Sequence, residues 1–454
     1  MSKFFSKLNI IYLVIFVVVA TYSAQVITER HMLSPQRVIE WDVVCYYDYL
    51  PATFILHDIK HMEPTAELNG LYWGHILPNG NKVIKTSMGM SVMYLPFFAV
   101  ANTLAEPLGY QRNGFTEPYS WSLIISSIFY LFWGFFFLAK MLKKLNFSTL
   151  VISLIILIIG LSTNLYWYAT FSAPYSHAYS FSLISLFLYL TILWHENPNV
   201  KNSIFVGLVS GLISLIRPSN ILIALVFVLY NIKSFKEFKD KIAFFLKEYK
   251  NILIIIGCAI IVWVPQFIYW KVVTGSWLFY SYGDDERFFF NDPKIFKVLF
   301  GWRKGWLIYT PVMLFSVIGM FMLPRHRKDF AIAIIAFFVI NLYVISSWWC
   351  WWYGGSFGMR PMIDIYGVMA IPFAVFLKWI FENKRLIVKI PLLVLLAWLV
   401  FRSVFNSCRY RSGAIHWGSM TKEAYFDSYW GKRSANFYDL LEEPNYEDAK
   451  IGIR

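Results

Sequence analysis

Apolar residues in this chain are gathered into long, nearly unbroken runs instead of recurring at the short period of a half-buried helix or strand. The runs fall at about 9–27, 118–140, 148–166, 176–194, 203–217, 219–235, 251–270, 306–323, 329–346, 363–381 and 386–403. Most approach the roughly 20 residues that carry a helix across about 30 Å of hydrocarbon. In lipid every backbone N–H and C=O must find its partner within the segment, so such runs are helices. The period-2 alternation of a membrane barrel is absent from the sequence. The pattern predicts an all-α polytopic membrane protein with about eleven transmembrane helices.

Two stretches depart from this regularity. Residues 88–108 are apolar but contain Pro96, Asn102 and Glu106 and close at Pro107. They read as a re-entrant or interfacial helix, because counting them as a span would place Lys143 and Lys144 on the wrong side. The pair 203–217 and 219–235 is short and is broken by Arg217-Pro218-Ser219-Asn220, which reads as a tight hairpin that stops short of full bilayer depth.

Charge then sets the orientation. Lys140, Lys143 and Lys144, the lysines between 233 and 250, Arg325 with Arg327 and Lys328, and Lys384 with Arg385 all fall in alternate connections. With the amino terminus inside, every one of these is cytoplasmic, as the positive-inside rule requires. The other side then holds a long first loop (28–117), the connections 167–175, 271–305 and 347–362, and a tail from 404. The expected organisation is a transmembrane body over 1–403 and an extracytoplasmic carboxy-terminal tail over 404–454. The first run follows Lys3 and Lys7 without a small-residue cleavage site and reads as a retained helix.

Composition agrees, with 58% hydrophobic and 15% charged residues against about 45–50% and about 25% in soluble domains. The net charge of +14 is spent on topology and not on a nucleic-acid footprint, so no nucleic-acid partner is expected. Cys45, Cys258, Cys350 and Cys408 form no metal-ligand spacing. No phosphate-cradling glycine loop is present, which argues against nucleotide-sugar or ATP chemistry. No internal repeat with paired broken helices, the mark of many transporters, is evident.

Residues able to do chemistry collect on the outer side. The first loop begins Trp41-Asp42-Val43-Val44-Cys45-Tyr46-Tyr47-Asp48. On a helix Asp42 and Tyr46 share a face, with Tyr47 and Asp48 beside them. A carboxylate among aromatic rings at a membrane surface is partly desolvated, which makes it a better base toward a hydroxyl; an ordinary aspartate in an aromatic belt explains the same residues equally well. Lys85 precedes the re-entrant run, where a lysine either meets a lipid phosphate or snorkels. His177 opens the fourth span and could donate to a phosphate or bind a metal, although a lone histidine is more often a hydrogen-bonded structural residue. Arg217 costs about 2.5–3.5 kcal/mol if it lies at the bilayer centre. The sharpest local signal is Trp348-Trp349-Cys350-Trp351-Trp352-Tyr353-Gly354-Gly355-Ser356-Phe357-Gly358-Met359-Arg360, with Asp364 four residues on. Trp349, Trp352 and Tyr353 offer flat surfaces for sugar rings or headgroups. Arg360 is a planar fork for phosphate, which Asp364 could hold across one helical turn. Arg303, in Gly301-Trp302-Arg303-Lys304-Gly305-Trp306, repeats the theme.

With these residues in view, the chain resembles the GT-C class of polyprenyl-phosphate-sugar-dependent glycosyltransferases, near bacterial relatives of the protein O-mannosyltransferases and the lipid A aminoarabinose transferases. The resemblance rests on Asp42 with Tyr46 and Tyr47 after the first helix, on Lys85 before a helix containing Pro96, and on the late turn ending in Arg360, over roughly residues 9–403. It implies an inverting transfer of a sugar from a polyprenyl-phosphate carrier to an acceptor hydroxyl on a lipid, glycan or protein, at the outer face of a bacterial plasma (inner) membrane. Asp42 would be the general base. Lys85, Arg217, Arg360 and His177 would hold the donor phosphate, with Tyr46, Tyr47, Trp349, Trp352 and Tyr353 against sugar or lipid and Asp48, Asp364 and Arg303 in support. Two positions depart from the family pattern. Val43, not a second carboxylate, follows Asp42, and Thr86-Ser87, not Pro-Pro, follows Lys85. These leave metal ligands unassigned, with Mg or Mn the divalent cations to consider. The competing functions are a flippase or transporter of lipid-linked sugar or polysaccharide, and an oligosaccharide ligase or polymerase.

Overall fold

The computed structural model describes residues 7–29, 34–61 and 74–454. Each of the eleven apolar runs is mostly helical, eight as one main helix and three (148–166, 219–235 and 306–323) as two or more shorter helical pieces, and the protein is an all-α polytopic membrane protein. Among the described residues six helices are long and apolar enough to cross a bilayer: Ile10–Thr28, Glu117–Lys144, Ser176–Glu196, Tyr249–Thr274, Lys328–Ser347 and Leu386–Arg411. The others are shorter, as in Thr149–Ser162, Val200–Ile216, Pro218–Leu229 and Pro311–His326, together with Tyr366–Glu382. The expected 148–166 span ends early, since Thr163 is extended and a separate short helix, Leu165–Thr170, follows.

Helix Ser176–Glu196 lies at the centre, packed between Glu117–Lys144, Val200–Ile216 and Tyr366–Glu382. Tyr249–Thr274 and Leu386–Arg411 stand at the periphery and turn Leu253, Ile261 and Val394 outward, where lipid is the matching solvent. Polar side chains start several helices by accepting an orphan N–H: Ser148 takes that of Val151 and Asn199 that of Asn202. Helix Val200–Ile216 stops for a steric reason. Arg217 precedes Pro218 and is therefore driven from the helical region to φ −145°, ψ 110°.

The described parts of the long first loop carry regular structure. They hold short helices Asp42–Tyr47 and Tyr49–Phe54 and an antiparallel hairpin of Gly74–Ile76 with Lys82–Ile84, Gly74 opposite Ile84. The hairpin is a small departure from the all-α expectation. After it the chain descends along the end of Tyr249–Thr274. Asn81 donates to the Val273 carbonyl (2.8 Å), the Ile84 N–H to the Tyr269 hydroxyl (2.8 Å) and the Met88 N–H to Gln266 (2.8 Å). Helix Gly89–Leu104 then returns it, antiparallel to Glu117–Lys144, with Tyr130 donating to the Met93 carbonyl (3.1 Å) and Tyr119 to Asn102 (2.8 Å). Its 16 residues extend about 24 Å, too short to cross. Descent and return on one side are the geometry of a re-entrant segment.

Helix Leu386–Arg411 continues unbroken past 404, the expected start of the tail. Arg409 donates to the carbonyls of Tyr425 (2.8 Å) and Ser428 (3.0 Å), and Arg402 lies 4.0 Å from the Tyr429 ring centroid. The last residue, Arg454, donates to the Trp348 carbonyl at 2.6 Å. Arg454 also donates to the Asp292 carbonyl, so the end of the tail is tied to both the 287–305 and the 347–353 segments.

Candidate functional site

Asp42 opens its short helix directly after Trp41, which sits at φ +52°. Arg360 opens a 3-10 turn, Arg360–Ile363, after the glycine-rich turn in which Tyr353 (φ +55°) and Gly358 (φ +60°) are also left-handed. A bulky residue at positive φ is uncommon and costs free energy, so the fold holds Trp41 and Tyr353 against a local preference on both sides of one ion pair. Arg360 Nη1 donates to Asp42 Oδ2 at 2.8 Å, joining residues 318 apart in sequence. Both side chains keep some access, 15% for Arg360 and 26% for Asp42. Burial by itself disfavours the Arg360 charge, but the Asp42 carboxylate outweighs it and holds the guanidinium above its ordinary value. The guanidinium also lies 5.8 Å from the Tyr175 ring.

Asp364 serves a second group and not Arg360. Its Oδ1 is 2.8 Å from His177 Nδ1, and its Oδ2 accepts from Asn220 Nδ2 at 3.0 Å and lies 3.5 Å from Arg217 Nη1. The expected one-turn pairing with Arg360 fails because 360–363 is a tight 3-10 turn and the helix starts afresh at Tyr366. His177 is buried (2% exposed) and spent on Asp364. Arg217 Nη1 also comes within 3.2 Å of His177 Nδ1. One ring nitrogen cannot donate to the carboxylate and accept from the guanidinium at once, so the carboxylate is Arg217's partner. His177 is thereby a structural anchor for Asp364 and, through it, for Arg217. Tyr46 lies in the same cluster, its hydroxyl 3.3 Å from Ser176 Oγ.

Lys85 stands at the edge, donating to Glu286 Oε1 at 2.6 Å and lying 5.4 Å from the Tyr282 ring. Burial and then the nearby Tyr46 push the Tyr282 hydroxyl up, with Arg217 opposing and Asp42 and Glu286 adding to the rise. Tyr282 is therefore within electrostatic reach of Arg217 and Asp42 as well as lying beside Lys85. The cluster thus brings Lys85, Arg217 and Arg360 together with Asp42, Asp364 and Glu286. Each cation is matched by a carboxylate, and an incoming phosphate would compete for those cations.

Other expected site residues lie elsewhere. The Tyr47 hydroxyl donates to the Gly114 carbonyl, and its ring packs between Phe98 and Phe115, away from the cluster. Trp349 and Trp352 are buried with Tyr446 of the tail against both rings, so their surfaces are covered by protein. Arg303 donates to the carbonyls of Gly418 (2.9 Å) and Glu442 (2.8 Å) and anchors the tail. The Tyr353 hydroxyl donates to the Ile345 carbonyl at 2.8 Å. Asp48 is 2% exposed, and its Oδ1 has no hydrogen-bond partner.

Burial pushes the Asp48 carboxyl up to about 8 from its ordinary 3.8. A carboxyl held neutral in the folded state destabilises the fold progressively as pH climbs between those two values. Asp48→Asn should therefore raise the melting temperature most near pH 8, with the gain shrinking toward pH 4. A pH series of thermal unfolding on both proteins checks this, and a gain that does not vary with pH would contradict it.

Sequence reasoning missed Glu286, Tyr282, Asn220 and Lys304. The acidic run Asp284-Asp285-Glu286, in a connection otherwise rich in lysine and arginine, was the available signal for the first. Lys304 is buried and donates to the carbonyls of Ser356 and Trp417, fixing the glycine-rich turn that presents Arg360. Desolvation drives its ammonium well below the usual range.

Among the described residues no group of three or more His, Cys, Asp or Glu side chains is placed to hold a metal ion. Asp42, Asp364 and Glu286 each face a cation here. No protein-family model matches the sequence, and no curated protein matches it. Among solved structures the chain is similar to the Archaeoglobus fulgidus oligosaccharyltransferase. The form tethered to an acceptor peptide aligns at 12% identity with a TM-score of 0.48, and the apo form at 12% with 0.47. Both alignments cover 100% of this chain and 60% of that one.

Proposed function

We propose that this protein is an inverting membrane glycosyltransferase that moves a sugar from a polyprenyl-phosphate carrier to an acceptor hydroxyl at the outer face of a bacterial plasma membrane. The observation that supports it is the contact between Asp42 and Arg360, with Arg217 and Lys85 gathered around it. A donor phosphodiester entering from lipid would draw Arg360 from Asp42 and take Arg217 as a second ligand, with Lys85 at the margin. Asp42, released, accepts the proton of the acceptor hydroxyl. The acceptor oxygen forms its bond to the anomeric carbon from the face opposite the phosphate, and the carbon–phosphate-oxygen bond breaks with its electron pair. Negative charge then moves from Asp42 to the leaving phosphate, and Arg360 is placed to follow it. Preorganised cations at the point where charge develops are the usual main source of stabilisation in such sites.

The test is reconstitution of the purified chain in proteoliposomes with an undecaprenyl-phosphate-linked sugar and, separately, with a pyrophosphate-linked glycan. The reading expects sugar transfer from the monophosphate donor with inverted anomeric configuration. Movement of intact donor across the bilayer without glycosyl product would favour a transporter, and use of the pyrophosphate donor alone would favour a ligase.

A further inference from the structure

Far from the Asp42 cluster, helix Phe235–Lys247 lies beside the amino-terminal end of Tyr249–Thr274. The latter has 26 residues and is about 39 Å long, and its other end carries the contacts to Ile84 and Met88 at the cluster. Ser234 caps the shorter helix by accepting from the Glu237 N–H. One face is pinned to the protein. Lys241 donates to the Tyr230 carbonyl at 2.9 Å, and Phe244 and Phe245 pack on the Trp194 ring. The preceding chain is tied down as well, with the Asn231 N–H donating to the Asp329 carbonyl at 2.7 Å.

A second face of the helix is apolar and uncovered. Phe238, Ile242 and Leu246 recur every fourth residue and are 40%, 48% and 69% exposed. Such a stripe is normally buried by something. Here it runs on into Leu253 (61% exposed), on the outward surface of a helix whose hydropathy and length suit it to a bilayer. Lys236 and Lys239, both exposed, follow on the side of the stripe away from the protein. An apolar edge continuous with a lipid-facing helix and bordered by lysines is the arrangement of an interfacial helix.

We infer that helix Phe235–Lys247 lies in the membrane interface opposite the Asp42 cluster, with Phe238, Ile242 and Leu246 in the acyl boundary and Lys236 and Lys239 on anionic lipid headgroups. The occupant is thus a lipid surface bearing phosphates, not a second copy of the chain. Lysines close to an anionic surface add strongly to such binding, so the surface must be charged for the helix to be held.

Hydrogen exchange of the full-length chain in nanodiscs tests this, comparing phosphatidylcholine alone with phosphatidylcholine mixed with phosphatidylglycerol. The expected result is that amides of 235–247 exchange at least about fivefold more slowly in the anionic discs. The double variant Lys236→Gln/Lys239→Gln should lose that difference while exchanging as wild type in neutral discs. Equal exchange in both lipids overturns the inference. So does protection that follows the number of chains per disc and not lipid charge, which would assign the stripe to a second copy.

Discussion

Asp42→Asn should lower glycosyl transfer by at least about a hundredfold while leaving the protein folded and able to hold donor lipid. General-base assistance contributes typically about 10²–10⁴ in rate, and asparagine keeps the size of the side chain and one acceptor oxygen for Arg360 but cannot take a proton. The amide oxygen still accepts from Arg360, but the guanidinium loses the charge that offsets its burial, so the melting temperature should fall while the protein stays folded. Donor affinity should hold or rise, since the phosphate no longer competes with a carboxylate for the guanidinium. Turnover and donor binding measured on the same proteoliposomes separate these effects. Full turnover by the asparagine protein would remove Asp42 from the chemistry.

The second large effect is expected at Gly89. A Cβ built there would lie 2.3 Å from the Ile216 nitrogen and 2.4 Å from the Leu215 carbonyl carbon. Both are backbone atoms and cannot swing aside. Gly89 starts the returning helix just after Lys85, and Ile216 immediately precedes Arg217. Gly89→Ala must therefore push apart the two segments that bring Lys85 and Arg217 into one cluster. Overpacking of this kind costs about 1–3 kcal/mol, and a displacement near 1 Å at a positioning group can cost about a hundredfold in rate. The expected outcome is a lower melting temperature together with a loss of turnover larger than the change in stability explains. Gly257, around which nothing lies within 4 Å of an added Cβ, is the control, and Gly257→Ala should leave both quantities intact. Wild-type turnover in Gly89→Ala would show that the close approach does not position the cluster.

Much of this architecture is legible in the sequence because lipid imposes so few solutions. Runs of apolar residues must be helices, so all eleven runs are found as helical, although 148–166, 219–235 and 306–323 are broken into shorter pieces. Proline supplies the finer points. Pro218 ends a helix and aims Arg217, and the polar interruptions around Pro96 mark the helix that turns back. The cluster is legible only in its membership. Asp42, Tyr46, Lys85, His177, Arg217, Arg360 and Asp364 do meet, but their pairing follows from tertiary geometry that spacing does not encode. Asp364 lies four residues from Arg360 in sequence, yet it turns toward His177 and Asn220 because the intervening turn is 3-10. Trp349 and Trp352 look like an open platform until the tail, distant in sequence, places Tyr446 against them. Glu286 becomes visible only once its loop is folded over Lys85.

The central claim is that one anionic lipid phosphate is held between Arg360 and Arg217, with Lys85 at its margin, beside Asp42. A cryo-electron microscopy structure of the chain with an undecaprenyl-phosphate-linked sugar measures this directly. The account predicts phosphate density within about 3 Å of the Arg360 and Arg217 guanidinium nitrogens, with Arg360 drawn off Asp42 and the sugar facing that carboxylate. Phosphate bound at another site, with the Asp42–Arg360 pair still closed, would contradict it.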